Sequence, residues 1–160
     1  MAPASIFTST TSYFYDNQTV TVTVSPPGDY LYQLDSGLFQ ESNYFVGLNS
    51  GTHTITAKDK FACGVVQTSF RIVNFPKFFT PNGDSYNDTW NIFEIADQLD
   101  AYISIYDRYG KLLKQISTQG VGWDGTLNGA ELPSDDYWFR AFYKENGESK
   151  EFKSHFSLKR

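Results

Sequence analysis

The chain has 160 residues, with 18 acidic side chains against 13 Lys and Arg and a net charge of −5 at neutral pH. That balance repels phosphate backbones and no basic run offsets it, so nucleic-acid binding is not expected. No apolar stretch approaches the roughly 18 residues that cross a bilayer, so no membrane span is expected. Fourteen Phe, eleven Tyr and three Trp, together with abundant Thr and Val, favour pleated sheets. Helix formers are sparse, and the expected class is all-β. The chain reads as soluble and monomeric. No charged-then-apolar leader precedes the first strand-like segment, and Met1-Ala2-Pro3 reads as the start of an excised piece.

In chain order, Thr19-Val20-Thr21-Val22-Thr23-Val24 alternates with period two, which places valines on one face of a strand and threonines on the other. Ser25-Pro26-Pro27-Gly28-Asp29 ends it. Tyr30 to Leu34 and Leu38 to Gln40 flank Asp35-Ser36-Gly37, a short hairpin-type turn. Gly47 to Gly51 is a second turn cluster, followed by strand-like segments Thr52 to Ala57 and Val65 to Val73. Turn signals recur at the spacing of a β-sandwich. His53, in the Thr-rich segment, reads as a half-exposed strand residue rather than a ligand.

A boundary is expected near Asn74 to Pro76. There is no cation before Lys58, whereas ten of the thirteen Lys and Arg lie from Lys77 onward. Pro76 also keeps Phe75 extended. Beyond it, Thr89 to Phe93 and Tyr102 to Tyr106 read as strands, with one short helical turn between them over Glu94 to Asp100. Asp107-Arg108-Tyr109-Gly110 turns the chain into Lys111 to Ile116. Two or three further strands follow, centred on Asp136 to Tyr143 and on Lys150 to Leu158. The expected architecture is therefore two small immunoglobulin-like antiparallel β-sandwich domains in tandem, residues 1–74 and 75–160. Domains of this size have little room for a deep pocket, which weighs against an enzyme.

Several motifs bear on chemistry. Pro81-Asn82-Gly83-Asp84-Ser85-Tyr86-Asn87-Asp88 offers oxygens from Asn82, Asp84, Asp88 and the Tyr86 carbonyl, and a calcium ion takes roughly six to eight such ligands. The closing acid of an EF-hand-like loop is missing, because Phe93 stands there, so Asp124 or Asp135-Asp136 would have to complete a site. The alternative is an Asx-turn cluster in which these side chains bond their own backbone. Trp123 in Gly122-Trp123-Asp124-Gly125 is either a carbohydrate-stacking platform or a plug at the end of the core. Asp135 and Asp136 are adjacent at a strand entrance and point to opposite faces, which argues against a glycosidase pair. The lone Cys63 has no internal disulfide partner, and neither His53 nor His155 sits in a nucleophile motif. Phe152 to Leu158 alternates in polarity and leads to Lys159 and Arg160, either a readable charged rim or a solvated tip.

Five segments in order carry a resemblance: Phe78 to Trp90, Ile105 to Lys111, Gly122 to Thr126, Leu132 to Trp138, and His155 to Arg160. They resemble the gliding-motility-associated C-terminal domain, also called the type B sorting domain of the Bacteroidetes type IX secretion system. Ser85 departs from it, where the family usually has Gly. The resemblance implies a non-catalytic domain that directs a large surface protein from the periplasm through the outer-membrane translocon, with a barrel partner of the PorP/SprF kind. Residues 1–74 look like an immunoglobulin-like repeat of a motility adhesin. The recognition residues expected on this reading are Asp107, Arg108, Tyr109, Trp123, Phe156, Lys159 and Arg160. The competing function is a carbohydrate- or surface-binding module using Trp123 and the tyrosines.

Overall fold

A computed structural model describes residues 2–61 and 63–160. It separates into two compact units, Met1–Asn74 and Phe75–Arg160. Almost all regular structure is strand.

The first unit holds β1 (Ser5–Thr10), β2 (Val20–Ser25), β3 (Tyr30–Leu34), β4 (Tyr44–Phe45), β5 (Gly51–Asp59) and β6 (Val65–Ile72). They form two antiparallel three-stranded sheets, ordered β1-β2-β4 and β3-β5-β6. The Thr-Val alternation makes β2 two-faced: Val20, Val22 and Val24 are buried while Thr21 and Thr23 are exposed. Those valines share one core with Tyr30, Ile55, Ala57, Phe70 and Ile72 of the other sheet, so the unit is a sandwich. Its one buried glutamine is fully engaged. Gln18 accepts from the Thr11 hydroxyl at 2.6 Å and donates towards the carbonyls of Ser12, Tyr15 and Val73, pinning the β1–β2 connection. Cys63 is exposed and carries a free thiol.

The second unit holds β7 (Phe78–Phe79), the 3-10 turn η1 (Phe93–Ile95), β8 (Tyr102–Tyr106), β9 (Leu112–Ser117), β10 (Thr126–Leu127), β11 (Ala130–Glu131), β12 (Asp135–Glu145) and β13 (Glu148–Leu158). Its main sheet runs β7-β13-β12-β8-β9, antiparallel except for the short parallel contact of β7 with β13. Tyr137, Phe139 and Ala141 of β12 and Phe156 and Leu158 of β13 point inward. The second layer is made of short pieces. Trp90 and Trp123 exchange two backbone hydrogen bonds of 2.9 Å, and both indoles lie on the inward side chains of the sheet. Trp90 stacks on Phe156 at 4.0 Å and donates its indole N–H to the Pro76 carbonyl. Trp123 donates its own to Thr126. Buried indoles thus keep their polar edges bonded.

Both units share one local device. The Tyr30 hydroxyl donates to the carbonyl of Pro26 at 2.6 Å, and the Tyr137 hydroxyl donates to that of Pro133 at 2.7 Å. Each tyrosine stands at the start of a strand and ties it to the preceding turn, as in the tyrosine corner of immunoglobulin-like sandwiches.

Thr89 to Phe93 differs from the strand expected there. Only Trp90 pairs, through the bridge to Trp123, and Phe93 already opens η1. The apolar run is used to pack indole and Ile side chains rather than to extend a ladder.

Candidate functional site

The Pro81–Asp88 loop is held by its own backbone. Asp88 accepts from the N–H groups of Asn82 and Gly83 with Oδ1 and of Ser85 with Oδ2, at 2.8–3.1 Å. Asn82 accepts from Asp84 N–H, and Asp84 from Tyr86 N–H. These are Asx turns, and they direct amide dipoles at the oxygens a cation would have to share. Partial burial pushes the Asp88 carboxyl up, but the N–H groups of Ser85, Gly83, Asn82 and Asp84 outweigh it and leave the group below the usual carboxylate range. Asp124 is engaged in its own turn. Its Oδ1 accepts from the hydroxyl and N–H of Thr126, which hold it below the ordinary carboxylate value. Among the described residues no group of three or more His, Cys, Asp or Glu side chains is placed to hold a metal ion. Ser85 takes a positive φ of 71°, a conformation that Gly adopts more readily than Ser.

Two of the residues expected to meet a partner lie inside. Trp123 and Phe156 are each 1% exposed and pack together with Phe79 and Tyr137. Neither ring offers a face to a sugar or a partner surface, because each is covered by other aromatic rings. Trp123 is therefore a core plug and not a carbohydrate-stacking platform.

Arg160 is a clamp. Its Nε donates to the Leu132 carbonyl at 2.8 Å, Nη2 to the Gly125 carbonyl at 3.0 Å, and its backbone N–H to the Ser134 hydroxyl at 2.8 Å; Nη1 lies 3.5 Å from Glu131. The guanidinium is spent on closing the 124–134 segment over the end of β13. Gly125 suits this closure: at φ +80° a Cβ there would stand 2.7 Å from Leu158 Cδ1 and 3.0 Å from Arg160 Nη2. Lys159 lies over the half-exposed Phe78 ring, 4.7 Å from its centroid.

Asp107 is likewise a builder, accepting from the N–H groups of Tyr109 and Lys111 at 2.9 Å. The turn it shapes projects Arg108 and Tyr109, and Tyr109 is 86% exposed. Beside this turn a cleft of about 340 Å³ opens on the outward face of the main sheet, lined by Tyr106, Arg108, Trp138, Arg140 and Lys153 as well as Asp107. Trp138 is 42% exposed. Arg140 is oriented by Glu151, whose Oε1 accepts from Nε at 2.9 Å and lies 2.8 Å from Nη2. A second cleft of about 510 Å³ lies at the other end of the sheet, around Leu99, Tyr102, Phe142 and Lys150. Asp135 and Asp136 line neither. Asp135 lies 3.4 Å from Arg108, and Asp136 accepts from the Ser157 hydroxyl at 2.6 Å.

Comparison with known proteins adds a decisive match. Residues 73–158 match the family model described as the CHU_C type IX secretion signal domain. The chain belongs to this family. A solved structure described as "Biofilm associated protein - BSP domain" is similar at 11% identity over 94% of this chain and 29% of that chain, with a TM-score of 0.29. The chain thus spans less than a third of that structure. No curated protein matches. The five segments that carried the resemblance are the structural parts of the secretion signal domain. Asp88 closes the first loop, Asp107 the β8–β9 turn, Trp123 and Phe156 the core, and Arg160 the clamp. Trp138, Tyr106 and Arg140 were not singled out from the sequence. The period of β12 could have found them, because Tyr137 and Phe139 cannot face inward without turning Trp138 and Arg140 outward.

Proposed function

We propose that residues 75–160 form the address that a type IX translocon reads on a folded cargo, and that residues 1–74 are an immunoglobulin-like repeat of that cargo, a large surface or motility adhesin. The secretion-signal role follows from family membership, which implies a partner in the secretion machinery and export across the outer membrane to the cell surface or beyond. The single observation that supports reading by a folded surface is the use of the family's segments: most of their distinctive residues shape turns and core, so an unfolded peptide would carry little of the signal. The partner on this reading is an outer-membrane barrel protein of the PorP/SprF kind, and the domain works without catalysis.

The test fuses residues 75–160, and separately 1–160, to a fluorescent reporter exported to the periplasm of a gliding bacterium. Surface fluorescence from both fusions is expected. Periplasmic retention of both, with the domains folded, would remove the reading; display of only the longer one would assign part of the signal to the first unit.

A further inference from the structure

We propose that the outward face of the β7-β13-β12-β8-β9 sheet, centred on Trp138, is where this domain meets its secretion partner, and that the partner seats a carboxylate-bearing protein loop there. The proposal rests on the secretion-signal reading. A sheet packed on one side needs apolar residues on that side only, and its other face is ordinarily polar. Strand β2 of this chain follows that rule, with Thr21 and Thr23 outward. Strands β8 and β12 break it. Their outward positions include Tyr102, Tyr106, Trp138 and Phe142, which leave an aromatic strip over a core already filled from the inward side.

The strip is ordered. Tyr102 stacks on Phe142 at 4.6 Å, Arg140 lies 5.5 Å from the Phe142 ring, and Trp138 packs beside His155 at 5.6 Å. Trp, Tyr and Arg are the residues that most often carry binding energy at protein interfaces, and rings already packed lose little freedom on docking. The charge argues for the partner's chemistry. Arg108, Arg140 and Lys153 border the Trp138 cleft in a chain of net charge −5, and the one acid lining it, Asp107, is turned back onto backbone N–H groups. Glu151 orients Arg140 and lies 3.4 Å from Lys153 through a single oxygen, while the Arg108 side chain stays 58% exposed beside Asp135. Donors from three cations therefore surround an apolar floor, which suits a carboxylate beside an apolar side chain. The strip from Tyr106 to Tyr102 runs about 13 Å along β8 at the usual rise of a strand, longer than one sugar ring requires. An aromatic centre with a charged rim is the anatomy of a protein interface.

The experiment uses residues 1–160 fused to the periplasmic reporter in a gliding bacterium. Variants are Trp138→Ala, the double reversal Arg108→Glu with Lys153→Glu, Leu99→Ser in the cleft at the Tyr102 end of the strip, and Val121→Ser, exposed in the loop after β9 and outside the sheet. Melting of each purified variant checks folding. With wild type displayed, both the Trp138→Ala and the double-reversal fusions are expected to fall in surface-to-periplasm ratio by about tenfold or more, the size of a hot-spot loss, while Val121→Ser is unchanged. Normal display of folded Trp138→Ala and of the double reversal would overturn the proposal while the secretion reading stood. Block by Leu99→Ser alone would move docking to the other cleft and overturn it too. Failure of the wild-type fusion itself would remove the secretion reading and the proposal with it. Purified 1–160 is also titrated with polygalacturonate and with dextran; Trp138-dependent polygalacturonate binding together with normal export of Trp138→Ala would reassign the cleft to an acidic saccharide.

Discussion

Arg160 shows how a charge at a rim can be structural. Its fork satisfies the carbonyls of Gly125 and Leu132, and an Ala there leaves both to solvent or to nothing. Arg160→Ala is expected to speed amide exchange through residues 124–134 and to lower unfolding free energy by about 1–3 kcal/mol, the range for lost charge-assisted bonds. Lys at the same position, with no planar fork, rescues only part. His53 carries a pH dependence. Burial depresses its basicity, but the Asn49 carbonyl at 2.7 Å from Nε2 and the Asp35 carboxylate at 2.8 Å from Nδ1 outweigh burial and raise it. Asp35 is held low by His53 and the Thr54 N–H. An imidazolium donates to both acceptors, whereas a neutral ring serves one. The His53 contribution is therefore complete below its ordinary value of 6.5 and is lost as pH rises through the raised value; the Asp35 contribution is present above 3.8 and is lost as pH falls through the lowered one. The melting temperature of the first unit is expected to fall from pH 6 to pH 8, and His53→Phe should flatten that slope.

At the scale of elements, the Trp90–Trp123 bridge is the critical contact of the second unit, and it was the least legible from sequence. Thr89 to Phe93 has strand-like composition, yet its ladder is one residue pair, because bonding is spent on a partner more than thirty positions away whose proximity no local pattern announces. The short β10–β11 ribbon is hidden for a different reason: Thr126 faces Glu131 and Leu127 faces Ala130 across a local turn, but strands this short carry no alternation to read. Strands with clean alternation were readable: β2 from Thr-Val repetition, β5 and β6 from their turn boundaries, and β12 and β13 from aromatic density. The bridge yields a sharp prediction at Gly122. Its φ is +99°, and a Cβ would stand 2.5 Å from the Trp90 carbonyl oxygen. Gly122→Ala is expected to cost about 3 kcal/mol from strain and displaced backbone, read as a lower midpoint in denaturant with loss of Trp near-UV dichroism.

For the whole molecule, the chain divides between Asn74 and Phe75 into two units of similar size, and the family match begins beside that division, at residue 73. The ordered segments that identified the family were readable as a set, yet their individual roles were not. Side chains that looked like ligands or contacts, Asp88, Trp123, Phe156 and Arg160, turn inward or onto the backbone, while the exposed aromatic face emerged from strand parity. A sequence marks which residues are distinctive; burial decides which of them a partner can touch. The central claim is that this fold is an export address. Its most direct measurement is protease accessibility of a reporter carried by residues 1–160, in cells with an intact type IX system and in cells lacking it. Cleavage in intact cells only where the system is present is the predicted result, and equal protection or equal cleavage in the two strains would contradict it.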